Sequence, residues 1–196
     1  MTPQTFVFFG RAGSGKGTQA KLLIDLLKEK TPDIRSLYLE TGEKLREFIS
    51  QDNHSAALTK EVLDTGGLMP AFMPIWLWTG FLVENFTGDE HIVLDGICRR
   101  KYEAPILDTA LKFYKRPGAV IIIIDVSNDW SLQRLLSRGR HDDEIPEIRK
   151  RQEWYDTEVA EAMKYLESEA GYTTLHINGE QTIEEVHAEI VQKLGW

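Results

Sequence analysis

The 196 residues are 42% hydrophobic and 28% charged, enough for one packed domain and unlike a disordered or low-complexity chain. A net charge of −8 repels nucleic-acid phosphate and anionic lipid, so neither a nucleic acid nor a membrane is an expected partner. The apolar runs at 75–82 and 119–125 are too short to span a bilayer, the first ten residues lack a basic leader pattern, and the lone Cys98 builds neither a disulfide framework nor a zinc site, so the expectation is a cytoplasmic protein serving small ligands.

In chain order, a strand at 5–10 is followed by a helix over about 15–30, and a strand at 36–40 by short helices across about 43–86. Strands at 91–95, 119–125 and 173–178 then alternate with helices over about 101–114, 129–137, 142–169 and 182–194. This alternation predicts an α/β fold, a three-layer αβα domain over 1–196 on a five-stranded parallel sheet. The branched apolar run at 119–125 marks a central strand covered on both faces. Roughly fifty residues between the second and third strands exceed a simple crossover, which predicts a helical insert over about 41–86 beside the ligand crevice.

The first strand runs into Gly10-Arg11-Ala12-Gly13-Ser14-Gly15-Lys16-Gly17-Thr18, the Walker A spacing at a helix start. Glycines let backbone N–H groups curl around phosphate oxygens, the helix N-terminus adds partial positive charge, and Lys16 supplies a point charge for β and γ phosphates. A nucleotide-binding phosphotransferase is the reading. The residue after the lysine is Gly17, and the hydroxyl comes one later at Thr18. The usual hydroxyl ligand to magnesium is thereby displaced, leaving nucleotide, water and a distant carboxylate to hold the metal.

The GKGTQ form of this loop resembles that of adenylate kinases and related nucleoside monophosphate kinases, and further segments follow in order. Thr41-Gly42-Glu43-Lys44-Leu45-Arg46 is similar to the family's Thr-Gly-Asp-Leu-Leu-Arg, and Gly67-Leu68-Met69-Pro70 to its Gly-x-Leu-Val-Pro. Leu94-Asp95-Gly96-Ile97-Cys98-Arg99 resembles Leu-Asp-Gly-Phe-Pro-Arg; Arg134 with Arg138, and Arg140-His141-Asp142-Asp143 with Arg151, resemble the two ends of a short lid at about 137–143. The resemblance implies transfer from MgATP to AMP by a monomer. ATP would lie on Gly13, Ser14, Gly15, Lys16, Gly17, Thr18, Arg134 and Gly179. The monophosphate would meet Thr41, Arg46, Gly67, Met69, Gly96, Arg99, Glu103, Arg140 and Arg151. Lys16, Arg99, Arg138, Arg140 and Arg151 would surround the moving group, with Asp95 reaching magnesium through water. Such a set suits a reaction that needs in-line positioning and positive charge more than covalent help.

Three departures bear on detail. Cys98 stands where the family has proline, Arg11-Ala12 puts an extra cation near the phosphates, and Glu103 replaces a glutamine that reads the acceptor adenine. A carboxamide matches adenine with one donor and one acceptor, whereas a carboxylate suits guanine's two donors unless burial protonates it. A kinase for GMP or a pyrimidine monophosphate is therefore an alternative to AMP. A nucleotide-binding module without catalysis, or a sugar or shikimate-type kinase on the same loop, fits fewer of the arginines. Each residue also has a plain structural reading: Arg151 pairing with Glu147, Arg46 with Glu43, Asp95 in a turn, Arg134 and Arg138 as solvated helix charges, and Asp142 and Asp143 as helix caps. Trp76 and Trp78 read as packing within the insert, and His141 as lid surface.

Overall fold

The computed structural model describes residues 2–116, 118–140, 143–169 and 171–196. Strands β1 (Thr5–Gly10), β2 (Ser36–Glu40), β3 (His91–Asp95), β4 (Val120–Asp125) and β5 (Thr173–Asn178) form one parallel sheet in the order β2-β3-β1-β4-β5. The first strand is thus central, and the order reverses around it, which opens a crevice at its carboxyl end. Register aligns Phe8 with Asp95 and Asp95 with Glu40, so three strand ends meet at that crevice.

Alternation along the strands fills both faces. Phe6, Phe8, Ile122 and Ile124 face α1 (Lys16–Lys30) and α9 (Ile183–Lys193) through Leu23, Leu27, Val186 and Ile190. Val7, Phe9, Ile121 and Ile123 face the opposite layer, built from α4 (Phe72–Asn85), α5 (Glu103–Phe113) and α8 (Ala160–Ser168) through Trp78, Leu82, Leu107, Ala162 and Leu166. Both layers are sheet-covering helices with an apolar stripe, as the three-layer reading requires.

Between β2 and β3 come α2 (Thr41–Phe48), α3 (His54–Asp64) and α4. Leu45, Phe48, Ala56, Met69 and Met73 form their own small core. Helix α4 belongs to both cores, since its Trp78 and Leu82 pack on the sheet while Met73 packs under α2 and α3. Of the two tryptophans expected to pack within the insert, Trp78 is instead buried in the core against the sheet, while Trp76, 56% exposed, meets the edge of the insert's Phe48 at 5.5 Å.

Local chemistry sets the helix ends. Asn53 and Ser127 cap α3 and α6 (Asn128–Arg138) by accepting from Ala56 and Trp130 N–H, and a Thr182–Glu185 capping box starts α9. Gly139 ends α6 at φ 65°. The single helix expected over 142–169 is instead α7 (Ile145–Trp154), a π turn (Tyr155–Val159) and α8. The wide turn buries Tyr155 and Val159 against the sheet layer, a packing demand that the 3.6-residue pattern does not display. Asp143 precedes Glu144, which is the N-cap of α7, while His141 and Asp142 lie outside the described residues. Among the described residues no helix is long and apolar enough to cross a membrane.

Candidate active site

The loop from β1 to α1 has glycine where geometry demands it. A Cβ at Gly10, with φ 154°, would stand 2.5 Å from Ser14 Oγ and 2.9 Å from the Ile124 carbonyl. Gly15 caps α1 in the left-handed region at φ 89° and lines a cavity of about 570 Å³, so the first N–H groups of the helix open towards it. Lys16 Nζ donates to the Arg11 carbonyl at 3.3 Å. Burial lowers the Lys16 pKa, Asp95 and Glu40 oppose that, and Arg99 and Arg138 add to it.

The same cavity brings together Gly13, Lys16, Gly17, Thr18, Gly67, Asp95 and Gly96 with Arg46, Arg99, Arg134, Arg138, Arg140 and Arg151. Six arginines and two lysines, Lys16 and Lys21, around one cleft, in a chain of net charge −8, form a local anion site in an acidic molecule. Asp95 is 2% exposed, and its Oδ1 finds no hydrogen-bond partner among the described residues. Burial pushes its carboxyl up to about 6; Lys16 and Arg99 pull it down and Glu40 pushes it up. An orphaned buried carboxylate oxygen beside a phosphate loop fits a divalent cation held through water.

The arginines are held, not loose. Arg138 grips Asp143 with two bonds, Nε to Oδ2 and Nη2 to Oδ1, both 2.8 Å, and Arg151 Nη2 reaches the same Oδ1 at 2.8 Å. The Arg140 N–H also donates to Asp143 Oδ2, at 3.3 Å. Burial pushes the Asp143 carboxyl up, but the bonds from Arg138 and Arg151 outweigh it and hold the group down at about 2. Asp143 is therefore the hub that fixes these arginines and is not a helix cap, and Arg151 has Asp143 as an ion-pair partner. Arg46 pairs with Glu40 at 3.1 Å rather than with Glu43. Arg99 donates from Nε to the Gly96 carbonyl at 2.8 Å and stands 6.0 Å over the Trp154 ring.

Other expected site residues stand back from the cavity. Ser14 is buried beneath the loop, Thr41 is buried with an unpartnered Oγ1 at the start of α2, and Met69 packs in the insert core. A Cβ at Gly179 would come within 2.6 Å of Ile124 and Val126, which explains a glycine at the end of β5 without any ligand. Glu103 is 0% exposed, and its Oε1 accepts from the Arg100 N–H at 3.1 Å. Burial pushes its carboxyl up to about 7, while Arg99 and the neighbouring N–H groups pull it down. The carboxylate expected to face the base faces the backbone. Arg11 likewise turns away from the cavity: it donates to the Val126 carbonyl at 3.2 Å, pairs with Asp156 at 2.5 Å and covers the Tyr155 ring at 4.7 Å. An arginine next to a buried aromatic and a carboxylate is better paired there than beside Lys16.

Three wall residues, Glu40, Trp154 and Tyr155, carry no motif signal. Glu40 was legible by position alone, since it ends a strand just as Asp95 does. Trp154 and Tyr155 depend on the π turn and had no sequence signal.

A family model described as adenylate kinase matches residues 8–171, most of the chain. The chain belongs to the adenylate kinase family. It is 31% identical over 189 residues to adenylate kinase 1 of Nostoc sp., covering 96% of this chain and 97% of that one. It is 32% identical over 180 residues to the adenylate kinase of Corynebacterium urealyticum, with 92% and 93% covered. The adenylate kinase of Flavobacterium psychrophilum is 31% identical over 185 residues, 92% of each chain. As an adenylate kinase family member the protein is a phosphotransferase that moves phosphoryl groups between nucleotides, on the αβα fold described above.

Proposed function

We propose that the enzyme transfers a phosphoryl group reversibly from MgATP to AMP, giving two ADP. The observation that carries this reading is the run of cations from Lys16 on the phosphate loop, through Arg138, Arg140 and Arg151, to Arg99 and Arg46 on the insert side of one cavity. A single nucleotide needs only one end of that run, whereas a donor and an acceptor phosphate meeting in line need all of it.

In this reading Gly13 to Thr18 wrap the ATP phosphates with backbone N–H groups, and Lys16 bridges the outer two. Arg134, over the Trp130 ring at 5.6 Å, covers the ATP adenine. Arg138 and Arg151, preset by Asp143, and Arg140, tied to Asp143 through its backbone N–H, neutralise charge on the transferring group. Arg99, with Gly96 beneath it, and Arg46 hold the acceptor phosphate, while Gly67 bounds the acceptor nucleoside and the buried Thr41 and Met69 support that wall from behind. The acceptor's phosphate oxygen is already an ionised nucleophile, so no side chain is asked for a general base. Asp95 would hold Mg²⁺ through water, and the ion would offset charge on the donor phosphates. Closure of the insert over 41–86 and of the short lid over 137–143 excludes water, which keeps ATP from hydrolysis. The chain acts as a cytoplasmic monomer in this reading.

AMP is favoured over GMP and the pyrimidine monophosphates because Glu103, the one residue that argued for guanine, bonds the backbone at Arg100. A coupled ADP-formation assay with MgATP and each of AMP, GMP, CMP and UMP tests the proposal. Turnover with AMP well above the others is expected. A preference for GMP, or equal use of all four, refutes AMP as the main acceptor, and ATP binding without any transfer refutes the kinase.

A further inference from the structure

Among the described residues, Glu103 is the one buried acid near the acceptor side of the cavity that the proposed chemistry does not use. Its surroundings are unusual. Cys98 takes φ 54°, the left-handed region that side chains other than glycine rarely adopt. The Arg100 N–H donates to Glu103 Oε1 at 3.1 Å, while Oε2 is buried with no hydrogen-bond partner among the described residues. One N–H of the kinked loop is thus held by the protein's own buried side chain. A proline at position 98 could not take this φ, so Cys98 and Glu103 work as one device.

The loop so shaped has two arms. Arg99 leaves it towards the cavity, braced by its bond to the Gly96 carbonyl at 2.8 Å. Arg100 leaves it towards the insert, donating from Nε to the Met69 carbonyl at 3.0 Å and from Nη2 to the Leu68 carbonyl at 3.1 Å. One buried carboxylate therefore sets both the cation facing the acceptor phosphate and the stretch beside the acceptor nucleoside.

We propose that Glu103 is a positioning residue of the acceptor site: it shapes the 96–100 loop, aims Arg99 and, through Arg100, holds residues 68–69, without reading the base. This rests on the acceptor reading of the cavity given above. The test is Glu103→Gln in the full chain, an isosteric change that replaces one carboxyl oxygen with a donating amide. Steady-state kinetics with ATP, AMP and GMP should show the acceptor KM raised about tenfold, the ATP KM within about twofold, and the AMP-to-GMP ratio of kcat/KM within about twofold. A tenfold change in that ratio would make Glu103 a base reader and overturn the proposal. An unmoved acceptor KM with a lowered Tm would reduce it to a stability role and overturn it equally.

A second readout is independent of turnover: the Arg99 Nε–H signal in NMR, bonded to Gly96 in the wild type, should exchange faster in Glu103→Gln. Should the wild type phosphorylate none of the four monophosphates, the functional reading fails while this signal still decides the positioning. Unchanged exchange overturns the proposal and faster exchange upholds it for Arg99. If Glu103→Gln does not fold, Glu103→Asp, which keeps the charge but shortens its reach, carries the same readouts.

Discussion

Asp95 and Glu40 end adjacent parallel strands in direct register, and both face Gly17 of the phosphate loop. A Cβ at Gly17 would lie 3.2 Å from Asp95 Oδ2 and 4.0 Å from Glu40 Oε2, so glycine after Lys16 leaves room for two carboxylates where a hydroxyl residue is usual. The pair is coupled: Glu40 helps to hold the Asp95 carboxyl at about 6. Glu40→Gln should therefore lower the Asp95 midpoint by about half a pH unit or more. A carboxyl ¹³C titration, assigned with Asp95→Asn, measures it. An unmoved midpoint would mean that Arg46, 3.1 Å from Glu40, already cancels its charge.

Asp95 is a site residue maintained at a cost in stability. A carboxyl raised to about 6 in the fold, against about 3.9 in the unfolded chain, penalises the ionised folded state. The penalty is absent below about pH 4, grows as pH rises through about 6 and is complete above it. Asp95→Asn should thus stabilise the protein at pH 8 by about 1–3 kcal/mol, or roughly 2–4 °C in Tm per kcal/mol, discounted for the lost attraction to Lys16 and Arg99. The gain should vanish towards pH 4, and activity should fall by about 10²-fold or more. Thermal melts of both proteins across pH test the sign, and a Tm gain that does not depend on pH contradicts it.

Much of this was legible in the sequence because it is periodic or local. The five parallel strands and the helices between them needed only the alternation of apolar runs and helical patterns, and the loop from Gly10 to Thr18 announced itself by spacing. Asp95 beside the phosphate loop followed from its place at a strand end next to β1. The partners of long side chains were not legible. Arg46 and Arg151 each had a plausible partner in sequence, Arg11 read as a cation beside the phosphates and Glu103 as facing the base, yet the fold gives them Glu40, Asp143, Asp156 and the Arg100 N–H. A flexible side chain several ångströms long samples many partners, and which one wins depends on burial and register that local pattern does not encode.

Arg11 gives that point a test. As a phosphate ligand, its loss would raise the ATP KM at least tenfold. As a strut from the phosphate loop to Tyr155 and Asp156, its loss should leave the ATP KM within about twofold and cost about 1 kcal/mol, the sum of a half-exposed ion pair and a cation–π contact. Arg11→Ala, Asp156→Ala and the double variant, compared by urea denaturation and ATP kinetics, separate the two. A coupling energy near zero between Arg11 and Asp156 would remove the strut.

Asp143 concentrates the most consequence in one side chain. Its two oxygens take four bonds from Arg138, Arg140 and Arg151, and it stands at about 2 because Arg138 and Arg151 outweigh its burial. A carboxyl depressed from about 3.9 stabilises the fold fully at neutral pH, and that support is lost as pH falls through its folded value. Asp143→Asn should cost about 1–2 kcal/mol at pH 7, with the difference from wild type shrinking between about pH 4 and pH 2. Because an amide cannot hold two arginines in one geometry, kcat should fall about 10- to 100-fold while nucleotide KM values move less. Denaturation at several pH values and single-turnover kinetics measure the two effects. A variant that loses stability with full kcat would show that the arginines find their places once nucleotide binds, whereas loss of both would make Asp143 the residue that presets the site.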